Sequence, residues 1–292
     1  MNTLPPETTM GLVALTVSDL DRSLRFYINT LGFELIQRDY RSALLGTGGE
    51  ALLDLVELPG ARPKPPRATG LYHFAILLPS RQDLARSLRH LAEARWPLQG
   101  AADHLVSEAL YLADPDGNGI EIYRDRPRTE WQYRGDQVVM TTDPLDLRDI
   151  LGELGGQPPA THRMAAGTFI GHIHLQVADI ADTIAFYGGP IGLDLLMRYG
   201  TQAAFLSANG YHHHVGANTW AGEDLPPAPD DAARLLWFEI VQPDAPVLEA
   251  TVERLRAAGS PAERGDEGLW TSDPSGIRVL LTNDEQRTPS DQ

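Results

Sequence analysis

Apolar and polar residues alternate through Val13-Leu15-Val17 and again through Ile173-Leu175-Val177, the two-residue period of a strand with one buried face. A helical period follows the first strand at Leu20, Leu24 and Tyr27. Asp19 and Asp179 stand where the N-caps of the two following helices belong. The likeness extends to the letters. Residues 11–38 and 171–198 align without a gap at an offset of 160, matching Gly11 with Gly171, Phe26-Tyr27 with Phe186-Tyr187 and Gly32 with Gly192. A second pair lies between them. Leu71–Ile76 is an apolar strand that stops at Pro79 and leads into a helical pattern with Leu84, Leu88 and Leu91; Leu235–Ile240 stops at Pro243 and leads into the helical stretch Val247–Ala258. Each is followed by an Asp-Pro turn closed by glycine, Asp114-Pro115-Asp116-Gly117 and Asp273-Pro274-Ser275-Gly276, and then by a β-rich run.

The chain therefore reads as four units, at 9–58, 68–124, 167–219 and 233–283, each a strand, a helix and two or three further strands. Segment 125–166 has no repeat partner. It predicts a short helix over Pro144–Leu154, then a Gly/Pro-rich stretch at 155–159, and reads as a connector. The polar tail after Asn283 is expected to be disordered.

Composition narrows the function classes. A net charge of −16 argues against nucleic acid or an anionic membrane as partner. No apolar run is long enough to span a bilayer, and the N-terminus lacks the features of a signal peptide, so a cytoplasmic protein is the expectation. The absence of cysteine excludes disulfides, thiolate metal sites and a Cys nucleophile together.

The chemistry lies where the copies differ. A duplicated scaffold needs its packing residues twice and its reactive groups once. His172 stands where the first copy has Leu12, and His73 where the fourth unit has Trp237. Glu121 lies in an apolar strand whose counterpart offers Leu280. Burying that carboxylate unpaired is costly. Two imidazoles and one carboxylate on neighbouring strands suit one face of an octahedral ion, with three positions left open, as in non-haem Fe(II) oxygenases. A second signal is His212-His213-His214, which on a strand would point alternately, His213 one way and its neighbours the other.

With these residues placed, the chain resembles the vicinal-oxygen-chelate superfamily, and within it the extradiol, catechol-2,3-dioxygenase-like branch, over nearly all of 9–283. The run from Asp103-His104 through Tyr111, the Asp-Pro turn and Glu121-Ile122-Tyr123 carries it, together with the repeated Phe-Tyr and Leu/Ile-Gly motifs. The resemblance implies an α+β fold of four βαβββ modules paired into two open-barrel domains, 9–124 and 167–283, joined by the linker 125–166. It implies Fe(II), with Mn(II) as the alternative, on His73, His172 and Glu121. It further implies substrate contact from Tyr111, a pocket role for His104, and an acid/base role for His213 with His214 as the rival register. His214, Asn218 and Trp220 are assigned to substrate contact. The expected activity is ring cleavage of a catechol or substituted catechol by O2. A non-redox metal enzyme of the same superfamily, with His214 or Asp54 as an added ligand, is the alternative, and a metal-free binder of small aromatics is a third reading. The ligand count departs from familiar extradiol enzymes, because the intact set comes from modules two and three. Those two modules are expected to pair with each other, leaving one with four; an exchange between identical chains in a homo-oligomer serves the count equally well.

Overall fold

The computed structural model describes residues 4–135, 137–156 and 163–287. Module one runs β1 (Thr9–Val17), α1 (Leu20–Leu24, continued by a π-helical turn over Arg25–Thr30), β2 (Glu34–Arg38), β3 (Ser42–Thr47) and β4 (Glu50–Glu57). Module two follows as β5 (Gly70–Leu77), α2 (Arg81–Glu93), β6 (Gly100–Asp103), β7 (Ser107–Ala113) and β8 (Gly119–Asp125). The connector carries β9 (Tyr133–Arg134), β10 (Gln137–Val138), β11 (Asp143–Pro144) and α3 (Leu147–Gly152). Module three is β12 (Phe169–Gln176), α4 (Ile180–Phe186, with a π-helical turn to Ile191), β13 (Asp194–Tyr199), β14 (Ala203–Ser207) and β15 (Val215–Asn218). Module four is β16 (Leu235–Gln242), α5 (Ala245–Ala257), β17 (Glu263–Arg264), β18 (Leu269–Ser272) and β19 (Arg278–Asn283). All four are βαβββ units. The tail expected to be irregular instead begins with a helical turn, α6 (Asp284–Arg287), and its last residues lie outside the described ones, as do Gln157-Pro158-Pro159 of the Gly/Pro-rich stretch.

The predicted caps form. Asp19 accepts from the Arg22 amide at 2.8 Å and Asp179 from the Asp182 amide at 2.7 Å. Gly32 and Gly192, which close the two helical segments, adopt φ of 88° and 97°, a conformation that disfavours any side chain.

The sheets do not follow the halves of the chain. One runs β17-β18-β19-β16-β1-β4-β3-β2, and the other β11-β6-β7-β8-β5-β12-β15-β14-β13. Stretches 9–124 and 167–283, expected as one domain each, therefore contribute one module apiece to each curled sheet. Module two joins module three through the antiparallel pair β5/β12, and module one joins module four through β1/β16, within a single chain. Other bonds hold each half together. Tyr27 Oη donates to Asp114 Oδ2 at 2.9 Å, and Tyr187 Oη to Asp273 Oδ2 at 3.2 Å, all of them buried. The repeated Phe-Tyr and Asp-Pro motifs are thus two ends of one contact, made between neighbouring modules, while the strand seam is left for the other half.

Alternation along the strands separates two faces. Phe74, Ile76, Leu110, Leu112, Ile120 and Ile122 pack with Leu84, Leu88 and Leu91 of α2 in the main core. Ala75, Leu77, Ala109 and Tyr123 pack on the concave side. The connector docks at the β6 edge and against α2: β11 pairs with β6, Ile150 of α3 joins the main core, and Arg81 of α2 bonds Asp149 and Glu153 around α3 as well as the buried Glu108. Among the described residues no helix is long and apolar enough to cross a membrane.

Candidate metal centre and cavity

The site grows from three adjacent strands, β8, β5 and β12. Ala75 lies opposite Glu121 on one side and opposite His172 on the other, so Glu121, His73 and His172 share the concave face. His73 Nε2 lies 3.0 Å and His172 Nε2 3.1 Å from the same oxygen, Glu121 Oε2. All three side chains are buried. Burial opposes the charge on Glu121, but attraction to His172 and the contacts from both imidazoles outweigh it and hold the carboxyl well below its usual range. Burial, the larger effect, pushes His172 down to about 4, so its ring is neutral at neutral pH. His172 Nδ1 has no hydrogen-bond partner, and His73 Nε2, though close to the carboxylate, is not aligned for a hydrogen bond. Two imidazoles, that of His172 neutral, and an ionised carboxylate converging on one point are the donor set that a divalent first-row ion requires. The residues fit a metal. Asp54 stands on β4 of the other sheet, and neither it nor His214 joins this cluster.

Two hydrogen-bonded chains flank the centre. The Thr141 carbonyl can only accept, so His104 Nδ1 donates to it over 2.6 Å. In the neutral ring His104 Nε2 is then the acceptor for the Tyr111 hydroxyl at 2.7 Å. On the far side, His212 Nε2 donates to the Asp125 carboxylate at 3.1 Å, and in the neutral tautomer that makes this bond Nδ1 is the acceptor. His213 Nδ1 donates to that nitrogen at 2.8 Å, so His213 Nε2 carries no proton; it is buried without a partner. The His213 ring centre lies 4.0 Å from that of His172. Burial, reinforced by the neighbouring imidazoles, holds His213 well below the usual histidine value.

The triple-His segment is a loop before β15 rather than strand, so strict alternation does not apply. His212 and His213 both line the cavity. His214 turns away: its Nδ1 accepts from the Ala208 amide at 3.2 Å and lies 2.8 Å from Ser207 Oγ. Asn218, also expected at the substrate, is buried one layer back, where its Nδ2 donates to His174 Nε2 at 3.0 Å and its Oδ1 accepts from the Trp220 amide. Trp220 does line the cavity. Neither His214 nor Asn218 is among the residues that line the cavity; His214 holds Ser207 and Ala208 through Nδ1, and Asn218 holds His174 and the Trp220 amide.

Six contributors received no site role in the sequence reading. His174 follows His172 at the same-face spacing of two and was legible in principle; its ring packs so close to Gly216 that a Cβ there would lie 3.0 Å away. His212, Asp125 and the connector residues Met140, Thr141 and Thr142 depend on tertiary contacts. The cavity has a volume of about 880 Å³.

The other sheet shows the same register without the chemistry. Glu239 lies opposite Leu280 as Ala75 lies opposite Glu121. Leu12, Trp237 and Leu280 take the three ligand places, and Trp237 packs edge-on against Trp270 at 5.4 Å. Glu239 is buried there, but its oxygens accept from the Leu12 amide at 2.8 Å and from Thr282 Oγ1 at 2.6 Å.

The sequence profile of the Glyoxalase/Bleomycin resistance protein/Dioxygenase superfamily matches residues 9–122 and 169–281. The catechol-2,3-dioxygenase of Bacillus subtilis (strain 168) is 43% identical over 278 residues, 94% of this chain and 96% of that protein. Among solved structures, one from Bacillus subtilis superposes with a TM-score of 0.68 at 13% identity, covering 97% of this chain and 86% of the other. Glyoxalase I from Zea mays superposes at 0.60 with 19% identity, covering 96% and 94%. At these identities the two structures speak for the fold alone.

Proposed function

The chain belongs to the glyoxalase, bleomycin-resistance and dioxygenase superfamily, and we propose that it is an extradiol dioxygenase that opens the ring of a catechol or substituted catechol with O2. His73, His172 and Glu121 would hold the metal, Fe(II) first and Mn(II) as its alternative. The observation that carries this reading is the convergence of two buried imidazole nitrogens on one carboxylate oxygen at the floor of a cavity large enough for an aromatic ring. When bound, the ion supplies charge to hold the deprotonated diol and a path for electrons between ring and O2. Three protein ligands leave room for both reactants.

The rest falls to the chain's own groups. His213 Nε2, bare and on a ring that lines the cavity beside His172, is placed to accept a diol proton and return it later. Asp125 and His212 keep that nitrogen bare by fixing the proton on the opposite one. Tyr111 directs its hydroxyl hydrogen to His104, so its oxygen lone pairs remain for a substrate hydroxyl. The connector carbonyl at Thr141 sets that direction. In the overall reaction the bond between a hydroxylated carbon and its neighbouring unhydroxylated ring carbon breaks. Both oxygen atoms enter the product, which is a carboxylate at one end and an aldehyde or ketone at the other, and O2 is the sole oxidant.

Anaerobic reconstitution with Fe(II), followed by catechol and O2, tests this. The expected result is a yellow ring-opened product with one O2 consumed per diol. A protein that binds about one metal per chain and takes up no O2 with any diol would overturn the reaction and leave the site.

A further inference from the structure

Resting on the ring-cleaving reading, we propose that the substrate is a catechol bearing a bulky, uncharged and largely apolar substituent, and that the wall formed by Met140, Met197 and Phe205 selects it against diols whose substituent carries a carboxylate. The first observation is size. At about 880 Å³ the cavity lies in the upper part of the ~300–1,000 Å³ range that encloses drug-sized ligands, well beyond what one six-membered ring needs. The second is charge. Among the described residues lining the cavity none is Lys or Arg, and the only acidic one is Glu121, at the metal floor. Away from the metal floor, a substituent carboxylate would lose water and find no Lys or Arg among those residues to pair with.

The third observation is the chemistry of the upper wall. Tyr72, Met140, Met197, Tyr199, Phe205 and Trp220 rise above the centre from β5, the connector, β13, β14 and the loop after β15. Phe205 stands 5.0 Å from the His213 ring, beside the reacting groups, and Trp220 packs edge-on to Tyr72 at 5.4 Å. Trp220 is 46% and Tyr199 68% exposed, so this aromatic lining continues from the floor to the mouth. A diol anchored at the floor therefore directs its substituent along an apolar path toward solvent. Methionines on two sides can adjust to its shape.

Steady-state O2 uptake by the metal-reconstituted full chain on catechol, 4-tert-butylcatechol and 3,4-dihydroxybenzoate is the test, with isothermal titration of the same diols beside it. The expected kcat/KM for the tert-butyl diol exceeds that for the carboxylate by about tenfold or more, most of it in KM. Phe205→Arg and Met197→Arg are each expected to narrow that ratio by about tenfold, measured against catechol on the same variant. Equal or better use of the carboxylate by the unmutated chain would overturn the inference. If no diol is cleaved while titration still ranks the tert-butyl diol above the carboxylate, the reaction assignment fails and the selectivity of the cavity is upheld. If the two bind alike, the selectivity fails on its own.

Discussion

His172 and Leu12 occupy one place in the repeat, as do His73 and Trp237, and Glu121 and Leu280; each exchange converts a packing position into a donor. Removing any one donor leaves two, without the charge or the geometry to hold a divalent ion. His73→Ala, His172→Ala and Glu121→Ala should therefore each lower metal affinity by more than the ~10–100-fold lost when only a supporting partner is removed. Leu12→Ala and Trp237→Ala should keep the metal, with elemental analysis of the purified variants as the check. Retention by the His73 variant would show that the ion sits elsewhere. His213 makes a different prediction, because its ring lies 4.0 Å from that of His172 and is held through Nδ1 in a separate hydrogen-bonded chain. His213→Gln should keep the metal and slow turnover by roughly 10²–10⁴-fold, the usual worth of positioned proton transfer. His212→Leu should reproduce part of that loss with its metal intact, since the proton on His213 is then no longer directed. Metal loss from either variant would make these imidazoles ligands.

At the scale of elements, the register of β8 against β5 sets where Glu121 lies. Gly119 is the point of closest approach: a Cβ there would fall 2.0 Å from the Tyr72 carbonyl oxygen. Gly119→Ala has to push the two strands apart two residues from Glu121. It should cost about 1–3 kcal/mol, as overpacking does, and weaken metal retention as well. Gly152→Ala, at the end of α3 with open space around the added carbon, should instead be neutral or gain up to ~1 kcal/mol. Thermal unfolding of the two variants decides this; an unperturbed Gly119 variant would mean that the strand contact is soft. The connector is an element of the site too. Through Thr141 it orients His104, and through Arg81 it is tied to α2, so its geometry reaches Tyr111 through two hydrogen bonds.

At the scale of the molecule, the buried imidazoles tie stability to pH. Burial takes His214 from its ordinary 6.5 down to about 3, and it holds His174 and His213 well below that ordinary value. Below pH 6.5 the unfolded chain takes up protons at these rings while the folded chain does not, so their contribution is whole above 6.5 and is lost as pH falls toward 3. Asp273, raised to about 6 by burial, works the other way: its contribution is present at acid pH and lost as pH rises through 6. Asp54 and Asp114 are raised likewise, but His172 is depressed with the other rings and Asp103, Glu108 and Glu121 are held below the usual carboxylate range, which leaves a net decline on acidification. Urea unfolding of the metal-free protein should give a lower midpoint at pH 5 than at pH 7.5. An unchanged midpoint would place those rings in contact with solvent. Bound metal should raise the midpoint and steepen the decline, because protons compete with it for the same nitrogens.

Much of this protein was legible along its chain because duplication places each module beside a control. Strand and helix periods, the Asp caps and the Asp-Pro turns are local, and they form where the pattern puts them. The contrast of His73, His172 and Glu121 with their apolar counterparts is also a property of the letters, and the structure brings these three side chains together. That the intact set required modules two and three to meet followed from counting donors. Whether they meet within one chain did not follow, since a module seam is a pairing of distant strands that any partner of equal length and register could supply; β5/β12 and β1/β16 decide it. The facing of the triple-His loop escaped the strand rule because a loop has no fixed period, so His212 and His213 enter the cavity together while His214 is spent on Ser207 and Ala208. The lid-like wall of Met140, Thr141 and Thr142 had no repeat partner to compare with. Its place was set by the pairing of β11 with β6 and by the arginine network around Glu108, interactions between residues far apart in the chain, which only the folded molecule brings within reach.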